Sequence, residues 1–260
     1  RTLQYYRVTV EHLLSQMGNS VRKVTTEEIR TYLADYQKNS NCSNVTIDNI
    51  RRNISSFFSW LEEEDYILKS PMRRIHKIKT KTVVKNTISD ESIEKLRDYC
   101  TEIRDLAIID LLYSTGIRVG ELVNLNIDDI DLEGRECIVY GKGDKERRVY
   151  FDAKAKVHLK EYIEGRKDEN KALFVTLDAP YDRLKISGVE IRLRQLGRKL
   201  DLEKIHPHKF KRTMATRAID KGMPIEQVQK ILGHSQIDTT MQYAMVNQNN
   251  VKTSHQKYMS

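Results

Sequence analysis

Apolar residues recur at intervals of three and four positions through most of the first 70 residues, which is the period of an α-helix buried on one side. One such stripe predicts a helix with its core face at Ile50, Ile54, Phe57, Phe58 and Leu61. Thr25 followed by Glu28 has the spacing of a capping box and predicts the start of a second helix. We therefore expect an N-terminal unit of four or five helices.

Three further helices are predicted in the middle of the chain. Ser89 can cap the first of them. The second extends from Ile103 to Tyr113 and stops at Gly116, because glycine readily adopts the left-handed conformation found at helix ends. The third is short and begins at Arg118, with Leu122 facing inward.

Short strands are predicted next. Residues 136–140 and 147–151 are rich in β-branched and aromatic side chains and predict a hairpin with a basic tip. Residues 173–176 are a candidate third strand. Helices resume near Ser187, and residues 246–258 predict a short tail helix. The pattern as a whole predicts a mainly α protein with a small antiparallel sheet.

One segment carries only positive charge. No acidic residue lies between Asp65 and Asp90, whereas seven cations do. Such a run is typical of a solvated linker, and it equally suits a strap that follows a phosphate backbone; the two interpretations are compatible. We predict domains at 1–78 and 88–260, joined by a basic linker at 79–87. The predicted DNA contacts are Arg73, Arg74, Lys77, Lys79 and Lys81.

Composition narrows the class of protein. The net charge of +8 and the pI of about 9.2 favour an anionic partner such as duplex DNA, a bias that ribosomal and other RNA-binding proteins share. Three widely spaced cysteines lack the pattern of a zinc site, and we expect them to be reduced and buried. No apolar run approaches the roughly 20 residues that cross a bilayer. We therefore expect a soluble protein that does not bind membranes, located in the bacterial cytoplasm with the nucleoid. Because the helical pattern is already under way at Arg1, we expect a preceding segment in the whole protein.

The last third of the chain carries the most informative chemistry. His234 and Tyr243 lie nine positions apart, on either side of a predicted helix start, and Gly233 can end the helix before them. Asp238 or Thr239 can cap the next helix, which places Tyr243 on its second turn. A phenol has a pKa near 10, so a nucleophilic Tyr243 needs a base and a strongly positive pocket. Taken alone, any one of the 13 tyrosines is structural more often than catalytic.

Three positions admit both a functional and a structural interpretation. Arg118 has a fork of donors that can hold two oxygens of a phosphodiester, but it can also pair with Glu121 one turn along the helix. Lys142, at the tip of the predicted hairpin, can donate a proton as a general acid or be an ordinary turn lysine. His234 can contact a phosphate or simply cap the helix before it.

A basic motif, residues 206–212, lies at another predicted helix start. His208 follows Pro207, where its imidazole can accept a proton from a phenol or hydrogen-bond a phosphate. His206 and His208 lack a third ligand at a fitting spacing, so we predict neither a metal nor a cofactor. Lys211 lies one turn further along and completes the basic set.

Three short motifs, at residues 115–122, 206–212 and 232–243, follow one another along the chain. In the order of these motifs the chain resembles the tyrosine recombinase (phage integrase) family, as a mobile-element integrase or an Xer-like recombinase. The resemblance implies a helical SAM-like core-binding domain followed by a mixed α/β catalytic domain. It implies cutting and rejoining of double-stranded DNA at specific sites through a 3′-phosphotyrosyl intermediate, without ATP or magnesium. The implied partners are paired recombination sites, three further copies of the chain in a homotetramer, and accessory DNA-bending proteins. The catalytic set implied by the resemblance is Arg118, Lys142, His208, Lys211, His234 and Tyr243.

Lys211 departs from the family, in which this position holds arginine. An ammonium group cannot hold two phosphate oxygens as a planar guanidinium does, so we predict a slowed reaction. Arg212 is a poor substitute, because one step along a helix turns a side chain by about 100°. A naturally slow enzyme, an engineered change that stalls the reaction and a relative that only binds DNA all fit this lysine. A type IB topoisomerase would use the same tyrosine chemistry without paired sites.

Overall fold

The chain divides into two compact units, residues 1–83 and 84–260. The computed structural model describes residues 2–18, 20–80, 86–141 and 146–244. Lys81, Lys142 and the predicted tail helix at 246–258 lie outside the described residues. The finer bounds of the two predicted domains and of their linker stay a prediction.

Unit 1 is helical. Its elements are α1 (Thr2–Gln16), α2 (Thr26–Ser40) and α3 (Asn44–Glu63), with short 3-10 helices at Val21–Lys23 and Pro71–Arg74. The described part of this unit thus holds three α-helices, and the prediction of four or five is wrong. After α3 the cation-rich chain offers few apolar positions. It therefore forms a single 3-10 turn around the buried Met72 instead of a further amphipathic helix.

The core of unit 1 follows the helical stripes. The α3 side chains buried in it are Ile47, Ile50, Ile54, Phe58 and Leu61, with Phe57 partly buried beside them. Thr25 and Glu28 form the predicted capping box at the start of α2, where each side chain accepts the other residue's backbone N–H. The predicted helix start and the predicted core face are both confirmed.

Unit 2 combines helices with a small sheet. Its α-helices are α4 (Asp90–Tyr99), α5 (Ile103–Thr115), α6 (Val119–Asn124), α7 (Ala153–Glu164), α8 (Ile186–Lys199), α9 (Pro207–Asp220), α10 (Ile225–Leu232) and α11 (Ile237–Ala244). Strands β1 (Ile130–Asp131), β2 (Glu136–Tyr140) and β3 (Glu146–Tyr150) form an antiparallel sheet in the order β1-β2-β3. The mainly α class with a small antiparallel sheet is confirmed.

Helix α5 lies at the centre of unit 2. It is apolar on nearly all sides, with side chains such as Ile109 and Leu112 fully enclosed, and it packs against α7, α9 and β3. Gly116 ends α5 at a φ of 62°. A Cβ at this position would lie 2.6 Å from Met214 Cε, so glycine serves both the left-handed turn and the close approach of α9. This turn fixes the start of α6 and with it the position of Arg118.

One predicted strand and one helix differ from the structure. Residues 173–176 add no strand to the sheet; Val175 makes an isolated bridge to Arg183, and the third strand is the short β1. The stretch is apolar because it is buried in the core, where its backbone pairs with loop segments. Helix α7 escapes prediction because its buried residues, Leu159 and Tyr162 among them, alternate with charged ones.

Two smaller predictions are also wrong. Helix α11 begins before Asp238 and Thr239, which lie in its first turn instead of capping it, since the Thr239 N–H already bonds the carbonyl of Gln236. Cys42 is half-buried, whereas the other two thiols are buried; all three are free. In the described ranges, no helix is both long enough and apolar enough to cross a membrane.

Candidate active site

Three cations from separate parts of unit 2 converge on the carboxyl end of α10. Arg147 Nε donates to the carbonyl of Ile231 at 2.9 Å, and Lys211 Nζ donates to that of Leu232 at 2.9 Å. Arg118 Nη2 donates to the carbonyl of Gly233 at 3.2 Å. We call Arg118, Arg147 and Lys211 the cation cluster. The last carbonyls of a helix lack partners within it and carry its partial negative charge, so this helix end draws the cations together.

The cluster contains one buried counter-charge, Glu121. Its carboxylate accepts two hydrogen bonds from Arg147, at 2.8 Å each, and one from Arg118 Nη1 at 2.8 Å. It also accepts the backbone N–H of Arg118 at the start of α6. Burial alone would raise the pKa of Glu121, but the bonds from Arg147 and Arg118 bring it down to about 2. The pairing of Arg118 with Glu121 and its contact with the α10 end therefore coexist.

Lys211 is the most desolvated member of the cluster, with 4% of its surface exposed. Burial lowers the pKa of its ammonium group to about 7, with repulsion from Arg118 acting in the same direction and Glu121 opposing it. At neutral pH, Lys211 would therefore be uncharged in about half of the protein molecules. Arg212 donates from Nη1 to the carbonyl of Asn86 at 2.9 Å and not to the end of α10.

His234 links the end of α10 to α11. Its backbone N–H bonds the carbonyl of Gln229, and the preceding Gly233 adopts the predicted left-handed turn at a φ of 61°. The ring Nδ1 lies 2.9 Å from Thr240 Oγ1. Burial, followed by the charge of Lys211, lowers the pKa of His234 to about 4. The ring is therefore neutral at pH 7 and has one N–H to donate.

Tyr243 lies on the second turn of α11, as predicted. Its ring stacks on that of His234 with 6.1 Å between centroids, and it is half-buried against an apolar cluster that includes Met214 and Leu232. Burial raises the pKa of the phenol, and the positive charges of Arg212 and Arg118 oppose this rise. Nucleophilic attack by Tyr243 therefore requires that another group takes up its proton.

A cleft of about 350 Å³ opens beside the cluster. Arg118, Glu121, His208 and Lys211 line it together with Gly141. His208 lies exposed on the first turn of α9, where Pro207 begins the helix as predicted. The structure thus brings Arg118, His208 and Lys211 together at one cleft and places His234 and Tyr243 against the same helix end. Lys142 follows Gly141 directly but is outside the described residues.

The predicted DNA contacts lie in unit 1. Arg73, Arg74, Lys77 and Lys79 are all exposed. Arg73 forms an ion pair with Glu62, while the backbone carbonyl of Arg74 accepts a bond from Arg30. Elsewhere in the described residues, no group of His, Cys, Asp and Glu side chains is arranged as a metal site.

Arg147 and the full role of Glu121 were not apparent in the sequence. Arg147 closes the basic stretch that begins at Gly141, so its charge looked like part of a solvated hairpin. Its partner carbonyl belongs to Ile231, which is 84 positions away. The pattern of β3 gives one usable signal: Arg147 and Val149 share a face of the strand and are less exposed than their neighbours.

Comparison with known proteins agrees with this arrangement. The profile of the phage integrase family matches residues 74–250, and that of the phage integrase N-terminal SAM-like domain matches residues 1–68. The chain is 30% identical to tyrosine recombinase XerC of Oceanobacillus iheyensis, over 98% of this chain and 89% of that protein.

Solved structures are similar along the whole chain. A crystal structure of XerA recombinase, 26% identical, covers 100% of this chain and 92% of its own with a TM-score of 0.60. The Tn1549 transposon integrase in complex with circular intermediate DNA has a TM-score of 0.82 at 18% identity, over 99% of this chain and 93% of that one, which shows a common fold. The SAM-like N-terminal domain and the integrase catalytic domain are thereby confirmed. The chain belongs to the phage integrase family and is a tyrosine-type recombinase.

Proposed function

We propose that this protein cuts and rejoins double-stranded DNA at specific sites, with Tyr243 as the nucleophile. The observation that carries the proposal is the convergence of Arg118, Lys211 and His234 at the end of α10, against the helix that bears Tyr243. Pre-placed cations stabilise the charge that develops on a phosphate during its substitution, and each such donor contributes about 100-fold to 1000-fold in rate.

Cleavage would exchange one bond to phosphorus for another. The phenolic oxygen of Tyr243 forms a bond to phosphorus, and the bond between phosphorus and the 5′ oxygen breaks. His208 takes up the phenolic proton, and Lys142 donates a proton to the 5′ oxygen. The products are a 3′-phosphotyrosyl link and a free 5′ hydroxyl. Attack by a 5′ hydroxyl of a second strand reverses these steps and rejoins the DNA.

Arg118 and Lys211 would hold the non-bridging oxygens of the phosphate, and the neutral ring of His234 would donate one hydrogen bond to them. We propose that Lys211 slows this reaction compared with an arginine. Its ammonium group gives one direction of contact where a guanidinium gives two parallel ones, and a pKa of about 7 leaves part of the protein without this charge.

The proposed partners are a pair of duplex sites and three further copies of the chain, in the cytoplasm of a bacterium, with accessory DNA-bending proteins. An XerH recombinase bound to a difH substrate and the Tn1549 integrase bound to circular intermediate DNA share the fold of this chain. The exposed cations Arg73, Arg74, Lys77 and Lys79, with Lys81, would follow the phosphate backbone. A relative that only binds DNA is the second candidate, and the weakened charge of Lys211 favours it.

A nicked suicide duplex tests the proposal. Duplexes selected for binding from a randomised library would be nicked at successive positions, so that cleavage beside a nick releases a short fragment and traps the covalent product. We expect a slow adduct with the unchanged protein, a faster one with Lys211→Arg and none with Tyr243→Phe. Tyr150→Phe, which alters an exposed tyrosine of β3, is the matched control and should react normally.

Three other results would contradict the proposal. An adduct that persists in Tyr243→Phe would assign the chemistry to another residue. No adduct with either the unchanged protein or Lys211→Arg would support the binding-only candidate. Relaxation of a supercoiled plasmid that carries no paired sites would indicate topoisomerase activity instead.

A further inference from the structure

Arg147 is held differently from the other two members of the cation cluster. All three of its nitrogen groups are engaged: Nη1 and Nη2 with the two oxygens of Glu121, and Nε with the carbonyl of Ile231. Its side chain is 13% exposed. A Cβ added to Gly233 would lie 3.0 Å from Arg147 Nε and 3.1 Å from its Cζ. The end of α10 therefore rests directly on this guanidinium.

Arg118 and Lys211 have contacts that can be exchanged. Each donates a single hydrogen bond to a carbonyl of the α10 end, and each also lines the cleft. Arg147 does not line that cleft. An anion that enters the cleft therefore competes with the carbonyls of Leu232 and Gly233 for Arg118 and Lys211, but not for Arg147.

We infer that Arg147 is a positioning residue, which anchors the turn between α10 and α11 at Ile231. It holds the turn in place while Arg118 and Lys211 transfer their hydrogen bonds from this turn to the substrate phosphate. The inference rests on the proposed function for its catalytic part. The turn, residues 231–236, carries His234 and leads into the helix of Tyr243. If Arg147 were absent, this transfer would leave none of the three carbonyls of the turn bonded to a cation of the cluster. Tyr243 would then lose its fixed position.

The consequence is specific to the reaction step. A displacement of about 1 Å at a reacting group can cost on the order of 100-fold in rate. Loss of Arg147 should therefore slow cleavage by about 100-fold at saturating DNA. Affinity for DNA should stay within about twofold, because Arg147 does not face the cleft and cannot release a counterion there.

The chain offers a matched control in the next residue of the same strand. Arg148 is exposed on the face of β3 opposite to Arg147, where it pairs with Glu136. Arg147→Gln and Arg148→Gln therefore remove the same charge from adjacent positions. Hydrogen exchange of the unbound proteins would be measured over residues 231–244, and over α5 as the internal reference.

In Arg147→Gln we expect exchange over residues 231–244 to accelerate about tenfold, because the carbonyls of a helix end lose a charged donor. Exchange over α5 should not change, and Arg148→Gln should match the unchanged protein in exchange and in cleavage. Arg147→Lys keeps the charge but offers one nitrogen in place of three, so it cannot reproduce both bonds to Glu121 together with the bond to the carbonyl of Ile231 and should give an intermediate result. This milder variant carries the test if Arg147→Gln does not fold.

Three outcomes would overturn the inference. Equal acceleration over α5 and the turn would mean that Arg147 only stabilises the fold. Unchanged exchange over residues 231–244 would mean that it does not anchor the turn. A loss of DNA affinity as large as the loss of cleavage would place Arg147 in contact with DNA. Because the exchange measurement needs no activity, failure of the proposed function would show separately, as absence of an adduct with the unchanged protein.

Discussion

Two regions of this protein concentrate positive charge, and the fold treats them in opposite ways. In the segment after α3, Arg73, Arg74, Lys77 and Lys79 are exposed. In the cation cluster of unit 2, Arg118, Arg147 and Lys211 meet at one helix end around the buried Glu121. Charge in water is screened and contributes mainly to affinity, whereas desolvated charge is directional and responds to the loss of a single donor. The number of cations therefore says less about chemistry than their burial and partners do.

The largest expected effect is the difference between two arginine-to-glutamine substitutions, one in each region. Arg118→Gln should lower the single-turnover cleavage rate by about 1000-fold, the upper range for loss of one pre-placed donor. Arg73→Gln should change this rate by less than about threefold at saturating DNA, since Arg73 is exposed and paired with Glu62. Rapid-quench assays on the suicide duplex would measure both. Equal losses in the two variants would remove the distinction between the regions.

Lys211→Arg is expected to act in the opposite direction. A guanidinium keeps its charge under all working conditions and can hold two phosphate oxygens, so cleavage should rise by about 100-fold. Binding of the uncleaved duplex should change far less. Lys209→Arg, on the same helix and paired with Glu203, is the matched control. A faster reaction in both variants would show that the effect does not belong to position 211.

The pH dependence of cleavage should follow the charge of Lys211. Its pKa of about 7 lies below the ordinary lysine value, so the group is charged below pH 7 and loses its charge as the pH rises. Between pH 6 and pH 8 the charged fraction falls about tenfold. The cleavage rate of Lys211→Arg divided by that of the unchanged protein should rise by about this factor over the same interval. A ratio that stays constant would mean that Lys211 remains charged throughout.

The smallest expected effect concerns salt. Lys77→Gln and Lys79→Gln should each lower the slope of log affinity against log salt by about 0.9 if each lysine neutralises one phosphate. The rate of cleavage at saturating DNA should hardly change. Lys38→Gln, an exposed position in the last turn of α2, serves as the control. An unchanged slope in all three variants would favour the interpretation of the cation-rich segment between Asp65 and Asp90 as a solvated linker alone.

Local sequence signals predicted much of the fold. The capping box at Thr25, the cap at Ser89 and the left-handed turns at Gly116 and Gly233 each depend on residues within four positions, and all four are present. The same reasoning failed for residues 173–176, because a short buried apolar run looks alike in a strand and in a core loop.

The sequence predicted most of the residues that belong to the site, but not the contacts between them. The order of Arg118, His208, Lys211, His234 and Tyr243 along the chain indicated the chemistry. The bonds from Arg147 to Ile231 and from Lys211 to Leu232 join residues 84 and 21 positions apart. The lowered pKa of Lys211 depends on burial that only tertiary packing creates.

The most direct test of the central claim is to map the covalent product. The adduct of Lys211→Arg with a suicide duplex would be digested with protease and nuclease, and the modified peptide sequenced by tandem mass spectrometry. We expect the nucleotide remnant on Tyr243, joined through a 3′ phosphate. A remnant on any other residue, or one joined through a 5′ phosphate, would contradict the claim that Tyr243 attacks beside the cation cluster.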